Sequence, residues 1–142
     1  MRGADLIKTA AVAVALAAAA GSVQAAEPLG IWQVPGSVIT IQVAPCGAAL
    51  CGILINSNRI KADPNARDDK NKNPALRTRP LRGVAMLQGF QGGPPAWKGK
   101  VYVPGNGDTY GATLTLTDAD TLNLKVCPAG PLCQTRTLKR VK

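Results

Sequence analysis

Histidine is absent from all 142 residues. That absence removes Ser-His-Asp and Cys-His catalysis, a histidine general base and imidazole metal ligation in one step. Aromatic residues are scarce as well, with Trp32, Phe90, Trp97, Tyr102 and Tyr110 making up the whole set. Five rings are too few for a base-stacking platform, so nucleic acid is not an expected partner. Acidic residues are few, 8 against 17 Lys and Arg, for a net charge of +9. Beyond Glu27 every acid after residue 26 falls in an expected loop or turn, which leaves no opposed carboxylate pair for glycoside hydrolysis. Long apolar runs are also missing. The longest, Thr9 to Ala20, falls short of the roughly 20 residues that span a bilayer as a helix.

That one apolar run has a different meaning. Arg2 and Lys8 precede it, Gly21 and Ser22 break it, and "VQA" ends at Ala25 with Val23 and Ala25 at the −3 and −1 positions. The pattern is that of a secretory leader over 1–25, cleaved after Ala25 or one residue later. No cysteine at the cleavage point carries a lipid. The expected product is an exported, periplasmic or secreted, chain with a single domain over 27–142, enough for one core. Its basic surplus would draw it to anionic partners such as lipid head groups or cell-wall polymers.

What is present reads as strands and turns. "SVITIQV" (37–43), "ATLTLTD" (112–118) and "TLNLKV" (121–126) alternate apolar and polar residues, the mark of antiparallel strands with one face in water. Asn106-Gly107 suits a tight hairpin turn, and no window of ten or more residues after the leader has a helical period. About eight strands are expected, near 29–34, 37–44, 51–56, 83–90, 97–103, 109–117, 120–127 and 132–141. So many short strands must hide their edges, in a small all-β antiparallel barrel or, as the alternative, a β-sandwich. A charged, proline-bracketed stretch, 59–82, interrupts the rhythm as a long loop with a helical turn near Asn73–Arg77.

Four cysteines in an exported chain predict disulfides. Cys46 and Cys51 flank one expected turn and Cys127 and Cys133 another. Bridging each loop at its base would contribute only about 2 kcal/mol; cross-pairing between the two hairpins is the rival connectivity. A redox motif has two residues between its cysteines, and a four-thiolate zinc site is out of place in an oxidising compartment, so neither is expected. Asp63, Asp68 and Asp69 cluster with Asn65, Asn71 and Asn73, but without the glycine and glutamate of a calcium loop and with Arg67, Lys70 and Lys72 between them. They read as a solvated loop with Asx turns. No metal or cofactor is expected.

Taken in order, "GIWQV", "CGAALCG", "DPNARDDKNKNPALRTRPLRG", the stretch Trp97 to Tyr110 and the closing "TRTLKRV" resemble the bacterial secreted family called domain of unknown function 2147. The resemblance covers nearly all of 29–142 and implies a compact calycin or lipocalin-like β-barrel. It carries over no catalytic residue, because no activity is established for that family. Cys127 and Cys133 stand where the family has a glycine-rich hairpin, and Lys100 replaces a glycine beside Gly99; the second bridge is a variant reinforcement. The leading functional expectation is a non-enzymatic module for a small molecule or envelope component. Trp32, Arg77, Arg79, Trp97, Tyr102 and Tyr110 are its candidate ligand residues, near an open end and the long loop. The alternative is an envelope interaction or stress protein docking anionic polymer or protein through its basic surface. A hydrolase using Asp63 or Asp68 is the remote third.

Overall fold

The computed structural model describes residues 11–13 and 27–141, so the expected leader lies almost wholly outside the described residues. Alternating sequence has become eight strands: β1 (Gly30–Gln33), β2 (Thr40–Cys46), β3 (Ala49–Asn56), β4 (Ala85–Gly93), β5 (Ala96–Val103), β6 (Asp108–Asp118), β7 (Thr121–Ala129) and β8 (Leu132–Arg140). Each pairs antiparallel with the next, and β8 returns to β1 to close a barrel in place of two stacked sheets. Closure gives every strand a neighbour on both sides for at least part of its length, and so limits the open edge of a small all-β domain.

The period-two pattern decides what points inward. On β6, Ala112, Leu114 and Leu116 are buried while Thr113, Thr115 and Thr117 are not. On β7, Leu122 and Leu124 face them across the ladder as Leu116↔Leu122 and Leu114↔Leu124. Strand β4 departs from strict alternation, since Leu87 and Phe90 are both buried although three residues apart. A bulge between them, with Gly89 at φ +62°, inserts the extra residue that turns both inward.

One end of the barrel is filled. The indole of Trp32 is fully buried and its Nε1–H donates to the Pro28 carbonyl at 2.9 Å. Arg140, paired opposite Trp32 where β8 meets β1, lays its guanidinium 4.4 Å from the ring centroid. The same guanidinium donates to the carbonyls of Glu27, Leu29 and Ala119. It therefore clamps the incoming chain, the β6–β7 turn and the last strand over the floor. Trp97, Phe90, Leu114 and Leu122 complete this packed half.

The stretch between β3 and β4 is less of a loop than its composition implies. It holds a one-turn helix, α1 (Asn58–Ala62), capped by the Ser57 hydroxyl accepting from the Ile60 N–H, and a 3-10 turn at Pro74–Leu76 capped by Asn73. The second of these sits where a helical turn is expected. The first is too short to leave a period in the sequence. Leu54, Ile60, Ala66, Leu81, Val84 and Tyr102 form a second apolar cluster beneath it. The backbone of the stretch lies directly on the β5–β6 turn: a Cβ on Gly107 would fall 1.9 Å from the Lys70 carbonyl oxygen, and Gly107 has φ +76°. Glycine is required there for both reasons.

Two disulfides, Cys46–Cys51 and Cys127–Cys133, close the β2–β3 and β7–β8 hairpins. No helix among the described residues is long and apolar enough to cross a membrane.

Candidate ligand cup

The end of the barrel opposite the Trp32 floor is open. The β1–β2 turn, the 57–84 stretch, the β5–β6 turn and the β7–β8 tip gather there. Below them the strands enclose a cavity of about 470 Å³, within the roughly 300–1,000 Å³ usual for small-molecule sites. Alternation supplies its wall: Ile41 from β2, Met86 from β4, Val101 and Val103 from β5, and Leu124 and Val126 from β7. Val34 and Ile39 complete it on the β1–β2 side. Polar groups enter only toward the mouth, as Ser37, Asn106, Tyr110, Gln134 and Arg136.

The rim polar groups differ in how far they are engaged. Tyr110 presents its ring to the cup while its hydroxyl accepts from Asn106 Nδ2 at 2.9 Å and donates to Asp108 at 3.4 Å. Asp108 in turn lies 3.6 Å from Lys72. Arg136 is the one charged residue in the lining, and among the described residues no carboxylate pairs with it.

Of the six ligand residues expected from sequence, Tyr110 lines the cup and the other five lie outside it. Trp32 and Trp97 belong to the packed half. Tyr102 falls between the inward Val101 and Val103 and so points to the opposite face of β5, where its hydroxyl donates to Asp68 Oδ1 at 2.5 Å. Arg79 donates to Asp68 Oδ2 from Nε at 3.0 Å and from Nη2 at 2.8 Å. Arg77 lines a separate, shallow groove with Arg59, Arg67, Asp63 and Asp69. Sequence reasoning missed Arg136 and Gln134. The available signal was alternation in "QTRTLK", which places both on the inward face with Leu138.

Asp68 is sealed within the protein at zero exposure, with Asn71 as its third donor at 2.9 Å. Burial pushes its carboxyl upward, but the hydrogen bonds from Tyr102, Asn71 and Arg79 outweigh that and hold it below the ordinary carboxylate value. Burial and the Asp68 carboxylate push Tyr102 up to about 12. This network ties the 57–84 stretch to β5. Asp63 spends its side chain on the backbone N–H of Asn65. Among the described residues no three Asp, Glu, Cys or His side chains converge as a metal site.

A closed eight-stranded antiparallel barrel, filled at one end and hollow at the other, defines a lipocalin-like protein. The chain belongs to the family described as "Uncharacterized protein conserved in bacteria (DUF2147)", whose model matches residues 30–140. Among solved structures it is similar to protein HP1028 from Helicobacter pylori, described as belonging to the lipocalin family. The TM-score is 0.72 at 23% identity, over 83% of this chain and 85% of that one. No curated protein matches the chain.

Proposed function

We propose that the protein is a non-enzymatic binder of a small, largely apolar molecule, held in the cup and handled outside the cytoplasm. The observation that carries this reading is the hollow half of the barrel: an apolar-walled space of about 470 Å³ above a packed floor. A guest that leaves water for such a wall gains roughly 25 cal/mol per Å² of apolar surface buried, against the cost of association. The two disulfides and the leader-like residues 1–25 support an oxidising, extracytoplasmic setting.

Titration with a neutral fluorescent probe such as N-phenyl-1-naphthylamine tests it. Binding is expected for the natural chain. It falls at least tenfold in Val126→Trp, which puts a large ring into the cup, while the circular dichroism spectrum stays unchanged. Equal binding by the two proteins would remove the cup from the argument.

A second reading, docking of an anionic envelope surface, is favoured by the uneven placement of charge. Residues 57–84, at the mouth end, carry eight basic and three acidic side chains. At the closed end the acids Asp118 and Asp120 are matched by Lys139 and Arg140. Asp118 stays ionised readily, its carboxyl held below the ordinary range by the Asp120 backbone N–H and then by Thr121. A positive surplus at one end turns the mouth toward negative surfaces, each cation near the surface adding about 1 kcal/mol at moderate salt. Cosedimentation with phosphatidylglycerol vesicles is expected at low salt and is lost as salt rises; neutral phosphatidylcholine vesicles leave the protein in the supernatant. Pelleting that ignores both salt and lipid charge would sink the docking reading.

A further inference from the structure

We propose that the molecule held in the cup is an amphipathic carboxylate, its apolar tail directed toward the packed floor and its head against Arg136 at the rim. The inference rests on the cup being a binding site and adds the chemical class of what it binds.

Strand geometry fixes the position of Arg136. In the β7–β8 ladder it stands directly opposite Leu124, flanked by the pairs Leu122↔Leu138 and Val126↔Gln134. Directly paired residues share a face of the sheet, and Leu124 is buried in the barrel core while Val126 packs against it. Arg136 is therefore an inward position by register and lines the cup, where its side chain stays exposed to solvent. Its guanidinium offers a planar fork of N–H donors to the hollow.

Among the described residues no carboxylate forms an ion pair with Arg136. The four ion pairs among the described residues join Arg59 to Asp69, Lys72 to Asp108, Arg79 to Asp68 and Arg140 to Asp120. Asp108, between the rim residues Asn106 and Tyr110 in sequence, is already engaged by Tyr110 and Lys72. Gln134, two residues along the same inward face, adds a neutral donor beside the guanidinium. The rest of the wall is Val, Ile, Leu and Met. A neutral apolar guest gains nothing from Arg136, whereas a carboxylate accepts two parallel N–H bonds from the planar fork.

The barrel wall also leaves room for a head group at this place. Strand β1 accompanies β8 only as Trp32↔Arg140 and Gln33↔Lys139. From Leu138 to Leu132, β8 runs on toward the mouth with no described strand on that flank. A carboxylate on Arg136 thus sits beside a gap in the wall and keeps contact with water while the tail is enclosed.

The test compares dodecanoate with dodecan-1-ol, which share a tail and differ in charge, as displacers of bound N-phenyl-1-naphthylamine at pH 8. In the natural chain dodecanoate is expected to displace the probe at least tenfold more tightly than the alcohol, with a preference that shrinks as salt rises. Arg136→Gln abolishes the preference and leaves affinity for the neutral probe within twofold, which also shows that the variant folds. Lys125→Gln, an exposed cation on the outer face of β7, keeps the preference, so net charge alone is not its source. Equal displacement by the acid and the alcohol in the natural chain overturns the carboxylate assignment, as does a preference that survives Arg136→Gln. Failure of the probe to bind the natural chain at all overturns the cup itself.

Discussion

Asp68→Ala unfolds at a much lower urea concentration than the natural chain, with a loss of about 3 kcal/mol or more, the scale for removing one partner of a buried charged pair. The carboxylate has zero exposure and accepts from Tyr102 Oη, Asn71 Nδ2 and the Arg79 guanidinium. Deleting it leaves a tyrosine hydroxyl and an amide without acceptors in a buried cluster, and each such orphan costs about 1–3 kcal/mol. Tyr102→Phe is milder, because Asp68 keeps its other two donors. The pH dependence has a definite direction. Asp68 has a folded-state pKa below the unfolded value, so its contribution is present above about pH 4 and is lost as pH falls through the lower folded value. Tyr102 is raised to about 12, so its contribution is complete below the unfolded value near 10 and disappears as pH climbs toward 12. Urea midpoints measured across pH therefore fall at both extremes in the natural chain, and the acid fall flattens in Asp68→Ala. A midpoint for Asp68→Ala equal to that of the natural chain would show that the network is ornamental.

Trp32→Ala is the other large loss, about 3–5 kcal/mol for the emptied ring alone. The stacked Arg140 adds about 0.5–2 kcal/mol at a partly buried cation–π contact. For a domain of this size each kcal/mol moves the melting temperature by about 4 °C, so a scan should drop by well over ten degrees. Trp32→Phe recovers much of it, lacking chiefly the Nε1–H bond to Pro28. A shift of a degree or two for Trp32→Ala would mean that the floor is held by other side chains.

These two residues show what the sequence could and could not display. Trp32 was legible as a residue of an expected strand over 29–34 and was expected as a ligand residue near the open end. It was not legible as floor, because alternation says nothing about up or down. Which end of the barrel is filled depends on how eight strands stagger against each other, a property of the closed sheet. Trp97, also a candidate ligand residue from sequence, likewise packs into the core. Asp68 was hidden for a different reason. Its partners lie 3, 11 and 34 residues away, and three aspartates within seven positions of polar sequence look alike until the chain doubles back at the Arg67↔Pro80 bridge. The strands themselves, the hairpin turns and the site of the 3-10 turn were all readable locally. Phe90 was not, since only the Gly89 bulge turns it inward.

The seam between β1 and β8 bears on the order in which the molecule can assemble. Every other neighbour in the sheet is also the next strand in sequence: six pairs are hairpins, and β3 and β4 are joined through the 57–84 stretch. The eighth joins Trp32 to Arg140, across nearly the whole domain, through two residue pairs. Contacts of such long range form slowly, because a large loop entropy is lost before anything is gained. A chain growing from its N-terminus can thus lay down an open meander early, but the ring, the arginine clamp and the hollow they frame come into being together, and only once the final strand has arrived.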